Sequence, residues 1–134
     1  MDDIIDALQC AAIEQTVDMD LPDEDQLVEI EEELLLPIPA DFKQFLLTVS
    51  NLVVGSLEPV TVTDPQAHTH LPEVTAQAWA DGLPREFIVL CQIGQGCYCI
   101  AQEGEVQLWQ QGEFVAEQHW EDVWQWAEEV WLAS

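Results

Sequence analysis

Apolar residues recur at offsets of three and four between Leu27 and Leu34, and the strictness of that spacing makes residues 27–51 the natural starting point. Leu27, Ile30 and Leu34 form one stripe with Val28 and Leu35 beside it, while Glu29, Glu32 and Glu33 fall on the other side, which predicts an amphipathic helix. Pro37 and Pro39 stop it, because proline lacks the donor for the preceding turn and drives the residue before it out of helical geometry. A second helix is expected at once. Pro39 suits its first turn, Asp41 sets a negative charge near its N-terminus, Phe42, Phe45, Leu46 and Val49 make its stripe, and Ser50 and Asn51 end it. Glu31 breaks the pattern, four after Leu27 and three before Leu34. It reads either as a boundary carboxylate that snorkels or as a buried acceptor for backbone N–H groups of the elbow. Both roles are structural, since no second acid or histidine is tied to it by spacing.

On either side the pattern is simpler. Residues 2–15 place Ile4, Ile5, Leu8, Ala11 and Ala12 along one side of a modest helix. After Asn51 the period becomes alternating: Val60 and Val62 predict a short strand that begins at Pro59. A helix is expected over about 72–80, stopped by Gly82. Phe87–Cys91 is apolar at every position and predicts a central strand covered on both faces. Cys97–Ala101, Val106–Trp109 and Phe114–Ala116 continue an antiparallel meander, separated by Gly94 and Gly96, by Glu103-Gly104 and by Gln111-Gly112. The chain closes on a helix over Trp120–Leu132, with Trp120, Val123, Trp124, Ala127 and Trp131 as its stripe. Trp126 and Val130 widen that stripe, either to cover the second face of the sheet or as a patch that meets a partner. The reading is a single α+β domain over 1–134: N-terminal helices, a central antiparallel sheet of about five or six strands, and a C-terminal helix.

Charge changes the picture. Only Lys43 and Arg85 are basic against 27 acids, for a formal charge of −25, yet 49% of residues are hydrophobic and six are Trp, so the chain folds under self-repulsion. Such a surface repels nucleic acid and anionic lipid and attracts basic proteins. Thirteen acids fall in residues 1–33 with no base among them. Asp18, Asp20, Asp23, Glu24 and Asp25 are therefore the first candidates for partner contact, beside Trp126 and Val130. A calcium loop over 18–25 fails on spacing: Pro22 stands where a third ligand belongs and no turn glycine follows. An acidic linker with Asp23 as a helix cap is expected instead. The N-terminus has no positive segment followed by an apolar run, which leads to a cytoplasmic expectation.

Catalytic chemistry has weak candidates. His68 and His70 form a lone His-x-His in a loop, short of a metal set. Cys91, Cys97 and Cys99 look clustered, but with an even-numbered loop Cys91 opposes Tyr98 and Leu90 opposes Cys99, which places Cys91 on the other face; a bulge would reverse that parity. Core packing is the expected role of these thiols, with no metal and no cofactor.

The run Glu31-x-x-Leu34-x-x-x-Ile38-Pro39-x-Asp41-Phe42-Lys43-x-Phe45-Leu46, followed by Asn51, resembles the N-terminal signature of the SUKH superfamily. Gly104-Glu105-Val106-Gln107-Leu108-Trp109 is similar to the family's Gly-x-Val-x-x-Trp pattern, so that Gly104 and Trp109 join Glu31, Pro39, Asp41, Phe42, Phe45 and Asn51 as signature positions over about 24–132. Leu52 and Val53 stand where relatives usually have glycines, and Gln95 where many carry an acid. That superfamily includes yeast cell-wall-assembly regulators of the Smi/Knr type and bacterial immunity proteins that neutralise toxins, often nucleases. The resemblance implies a non-enzymatic domain that binds a basic protein such as a cognate toxin. A regulatory scaffold with several partners is the alternative, and a thiol or metal enzyme built on His68, His70, Cys97 and Cys99 is the reading from another class.

Overall fold

A computed structural model describes residues 2–11, 21–50, 54, 57–63, 69–94, 96–110 and 112–134. Three helices come first: α1 (Asp2–Ala11), α2 (Glu24–Leu34) and α3 (Ala40–Val49). Asp23 caps α2 through a reciprocal box, its Oδ1 accepting from Gln26 N at 2.9 Å while its own N–H donates to Gln26 Oε1 at 3.0 Å. Leu27, Ile30 and Leu34 are buried, as their spacing requires. Pro39 occupies the N-cap of α3, one place before its first turn, and Phe42, Phe45, Leu46 and Val49 are buried along one side. At the far end the Ser50 hydroxyl donates to the Leu46 carbonyl at 2.6 Å. Asn51 lies outside the described residues.

Between α3 and the sheet, residues 59–61 run as isolated bridges rather than a full strand: Pro59 pairs with Cys91, and Val60 N donates to the Leu90 carbonyl at 2.8 Å. Helix α4 (Leu71–Ala80) follows, and Gly82 after it takes φ +118°, a conformation that suits glycine. Strands β1 (Ile88–Ile93), β2 (Gly96–Ile100), β3 (Val106–Gln110) and β4 (Glu113–Trp120) form an antiparallel sheet in sequence order. With 59–61 on the outer side of β1 the open sheet has about five strands, and β1 stands second from the edge.

Two details of register depart from the sequence expectation. Cys91 pairs with Tyr98, but Cys99 pairs with Val89 rather than Leu90, because Leu90 is the extra residue of a β-bulge. Strand β4 also runs on to Trp120, with a register break opposite Leu108, so Trp120 belongs to the sheet and not to the closing helix. That helix, α5 (Val123–Trp126), begins at the Asp122 cap and passes into a π-helical turn over Ala127–Trp131.

The sheet is covered on both faces. Trp109, the partner of Cys97, faces α4: a Cβ built at Gly82 would lie 3.8 Å from its ring. Tyr98, next to Cys97 along β2, points the other way and meets Trp120 and Trp126 edge-on, with centroids 5.6 and 5.4 Å apart. Phe45 of α3 then packs against Trp124 and Trp131 at 5.7 and 5.5 Å, joining the helical half to this aromatic layer.

Candidate functional site

The elbow between α2 and α3 is held by one side chain. Glu31 Oε2 accepts the Ile38 backbone N–H at 2.8 Å, and its Oε1 lies 3.2 Å from Lys43 Nζ on α3. One carboxylate thus satisfies a donor that the prolines leave without a helical partner and ties the second helix to the first. The chain turns at Leu35, whose φ of +59° is left-handed and whose N–H returns to the Glu31 carbonyl. Sequence spacing put Leu35 and Val28 beside the buried stripe; they are instead 87% and 48% exposed. Leu35 has left the helix, so helical periodicity no longer governs where its side chain lies.

The outer side of α2 is acidic. Glu24, Asp25, Glu29, Glu32 and Glu33 are all exposed, and Asp23, exposed too, has its carboxylate committed to the cap. Neither basic residue is left to neutralise them. Lys43 pairs with Glu31, and the Arg85 guanidinium sits 5.5 Å from the ring of Trp79, which donates its indole N–H to the Phe87 carbonyl at 2.9 Å. Asp18 and Asp20 lie outside the described residues.

A cavity of about 490 Å³ opens between α4 and the sheet, lined by Gln77, Asp81, Gln92, Cys97 and Trp109 among others. Gly96 at its floor approaches Trp109 so closely that any Cβ there would strike the Trp109 carbonyl. Of these, Cys97 and Trp109 stood out in the sequence, whereas Gln77, Asp81 and Gln92 did not, since no periodicity marks them. The Cys91 and Cys99 thiols are poor nucleophiles. Burial pushes the Cys91 thiol up to about 12, and Cys99 is driven up by its hydrogen bond with Cys97 and by burial. A thiol enzyme needs the opposite shift.

The remaining sequence candidates are dispersed. Trp126 is fully buried with Tyr98 and Trp131, so it cannot meet a partner, and that expectation is withdrawn. Val130 is half-buried against the core. His70 stands at the N-cap position of α4 without a side-chain cap bond, its Nδ1 3.9 Å from Glu73 and beyond hydrogen-bonding reach, and His68 lies outside the described residues. Among the described residues no three His, Cys, Asp or Glu side chains are placed to hold a metal ion. Gly104 takes φ +99° in the turn before β3, where Ala101 N donates to the Glu105 carbonyl at 2.8 Å.

Helices flanking an open antiparallel sheet, with a proline elbow pinned by a glutamate and a closing tryptophan helix, define an α+β domain of the Smi/Knr-like kind. The chain belongs to the SUKH superfamily: the family model described as SMI1-KNR4 cell-wall matches residues 1–132. It is similar to a protein from Pseudomonas syringae pv. tomato known from a crystal structure, with a TM-score of 0.96 and 55% identity over 100% of both chains. No curated protein matches it. Among the described residues no helix is long and apolar enough to cross a membrane.

Proposed function

We propose that this chain is a non-enzymatic binding protein of the immunity type, which neutralises a basic toxin, a nuclease in the first instance, by direct contact in the cytoplasm. The observation that carries this reading is the acidic outer side of α2, whose carboxylates are exposed while both basic side chains of the protein are engaged elsewhere. Such a face speeds encounter with a cationic surface and competes with nucleic acid for it. Family membership supports a Smi/Knr-like domain, and fold alone does not choose among its uses. The family's cell-wall description favours a second reading, a regulatory scaffold with several weaker partners.

The test is affinity capture of the tagged protein from its own cells, with the products of neighbouring genes co-expressed, at low and high salt. One basic toxin domain that elutes with salt, and whose activity stops on binding, is the expected result; several weak partners and no protection of cells would replace it with the scaffold. Neutralising Asp18, Asp20, Asp23, Glu24 and Asp25 to their amides slows association by about tenfold at low ionic strength. Asparagine at position 23 keeps the helix cap, so the fold survives the change. An unchanged rate would reduce this run to a solvated linker.

A further inference from the structure

A groove of about 410 Å³ runs between α2 and α3, lined by Leu27, Val28, Ala40, Leu47 and Thr48, with Glu24, Lys43 and Gln44 at its edges. Val28 is half-exposed on its α2 wall. Seven residues on, about 10 Å along the helix by its rise per residue, stands Leu35. Two independent features make Leu35 unusual. Its side chain is the most exposed large hydrophobic one among the described residues, and its backbone holds a left-handed conformation that normally goes to glycine or asparagine at a helix end. The left-handed turn ends α2 and returns the Leu35 and Leu36 N–H groups to the Glu31 carbonyl, but the exposed side chain adds little to the isolated domain. A leucine side chain so exposed at this turn offers an apolar contact to a partner outside the fold.

We propose that this groove, with Leu35 at its elbow end, docks a basic amphipathic helix of a partner protein. The inference rests on the protein-binding reading and gives it a surface. The space between α2 and α3 offers a trough that a third helix can fill with apolar side chains at offsets of three, four and seven. Charge selects the occupant. Glu24 lines the groove, Asp25, Glu29, Glu32 and Glu33 are exposed on the same helix, and the lining Lys43 is paired with Glu31, so the flanks of the incoming helix are lysine or arginine. A second copy of this chain would set the same acids against each other and is disfavoured by like-charge repulsion. Val28 and Leu35 supply apolar anchors, and the acids supply orientation and rate.

The probe is a synthetic Leu/Lys peptide of about 18 residues patterned as an amphipathic helix, titrated into the full-length isotope-labelled chain beside a peptide of identical composition scrambled to have no apolar face. The patterned peptide binds about tenfold more tightly than the scrambled one, with shifts concentrated on α2 and α3. Val28→Gln and Leu35→Asn each weaken it by about tenfold, while the melting temperature is held or rises, since Asn tolerates the left-handed conformation. Equal binding of the two peptides, or variants that bind as the parent does, overturns the docking site. So does a self-association that these variants abolish, which would make a second copy the occupant. The same variants separate this proposal from the reading beneath it. Undiminished toxin capture by Val28→Gln and Leu35→Asn removes the groove and leaves the immunity function; a groove that binds the peptide while no toxin is recovered does the reverse.

Discussion

At the elbow, Glu31 pairs polar groups on both sides, taking the Ile38 N–H with one oxygen and Lys43 with the other, and at the far end of α2 Asp23 and Gln26 satisfy each other. Under the sheet the reverse holds. The indole nitrogens of Trp124, Trp126 and Trp131 are buried and have no hydrogen-bond partner among the described residues. Each orphaned donor costs about 1–3 kcal/mol, but an indole that buries roughly 200 Å² contributes about 5 kcal/mol at 25 cal/mol per Å², an upper bound. Mass outweighs mismatch in that layer. The elbow adds directed bonds to the burial of Leu34 and Ile38, and those bonds set an angle as well as a stability. One region supplies free energy and the other supplies geometry.

The sharpest way to break this contrast is Phe45→Ala, because Phe45 is fully buried and touches Phe42, Trp124 and Trp131. A loss of about 3–5 kcal/mol is expected in urea denaturation. A loss below about 1.5 kcal/mol would mean that the aromatic layer collapses around the gap and is not close-packed.

At the elbow the expected effects are smaller and more selective. Glu31→Ala removes the acceptor of the Ile38 N–H and the partner of Lys43, for a loss of about 2 kcal/mol. Glu31→Gln keeps an oxygen for Ile38 and loses only the ion pair, which is partly exposed, so it costs about 0.5–1 kcal/mol. Should the two variants melt together, charge and not the backbone acceptor would be what holds the elbow.

The same contrast explains what was legible in the sequence. Periodicity reports which residues face a core, so α2, α3, α4 and the β1–β4 meander follow from it, and proline punctuation places the elbow. Glu31 stood out as the one polar residue on an apolar face. Periodicity carries no hydrogen-bond register, however. The bulge at Leu90 reverses the partner of Cys99 without changing composition. The closing helix shows the same limit. Trp126 and Trp131 are five apart, about 140° around an α-helix, yet both are fully buried and their rings lie 6.3 Å apart, stacked. The π-helical turn reconciles them: Leu132 N bonds back five residues to the Ala127 carbonyl at 2.9 Å. An apolar stripe too wide for an α-helix was its only trace in the sequence.

Leu35 gives the smallest effect and the one with the opposite sign. Its left-handed backbone costs a β-carbon-bearing residue about 1–2 kcal/mol, and glycine relieves that while adding roughly 0.5–1 kcal/mol of unfolded-chain entropy. The side chain is so exposed that little packing is lost with it. Leu35→Gly should therefore stabilise the fold by about 0.5–1 kcal/mol, read as a rise in the urea midpoint with an unchanged slope. Leu35→Ala keeps the strain, removes most of the side chain, and should leave the midpoint within the equivalent of about 0.5 kcal/mol. A fall for both would mean that the leucine packs against the domain after all. A rise for glycine with no change for alanine isolates the backbone as the cost, borne at a position whose side chain does nothing for the folded chain on its own.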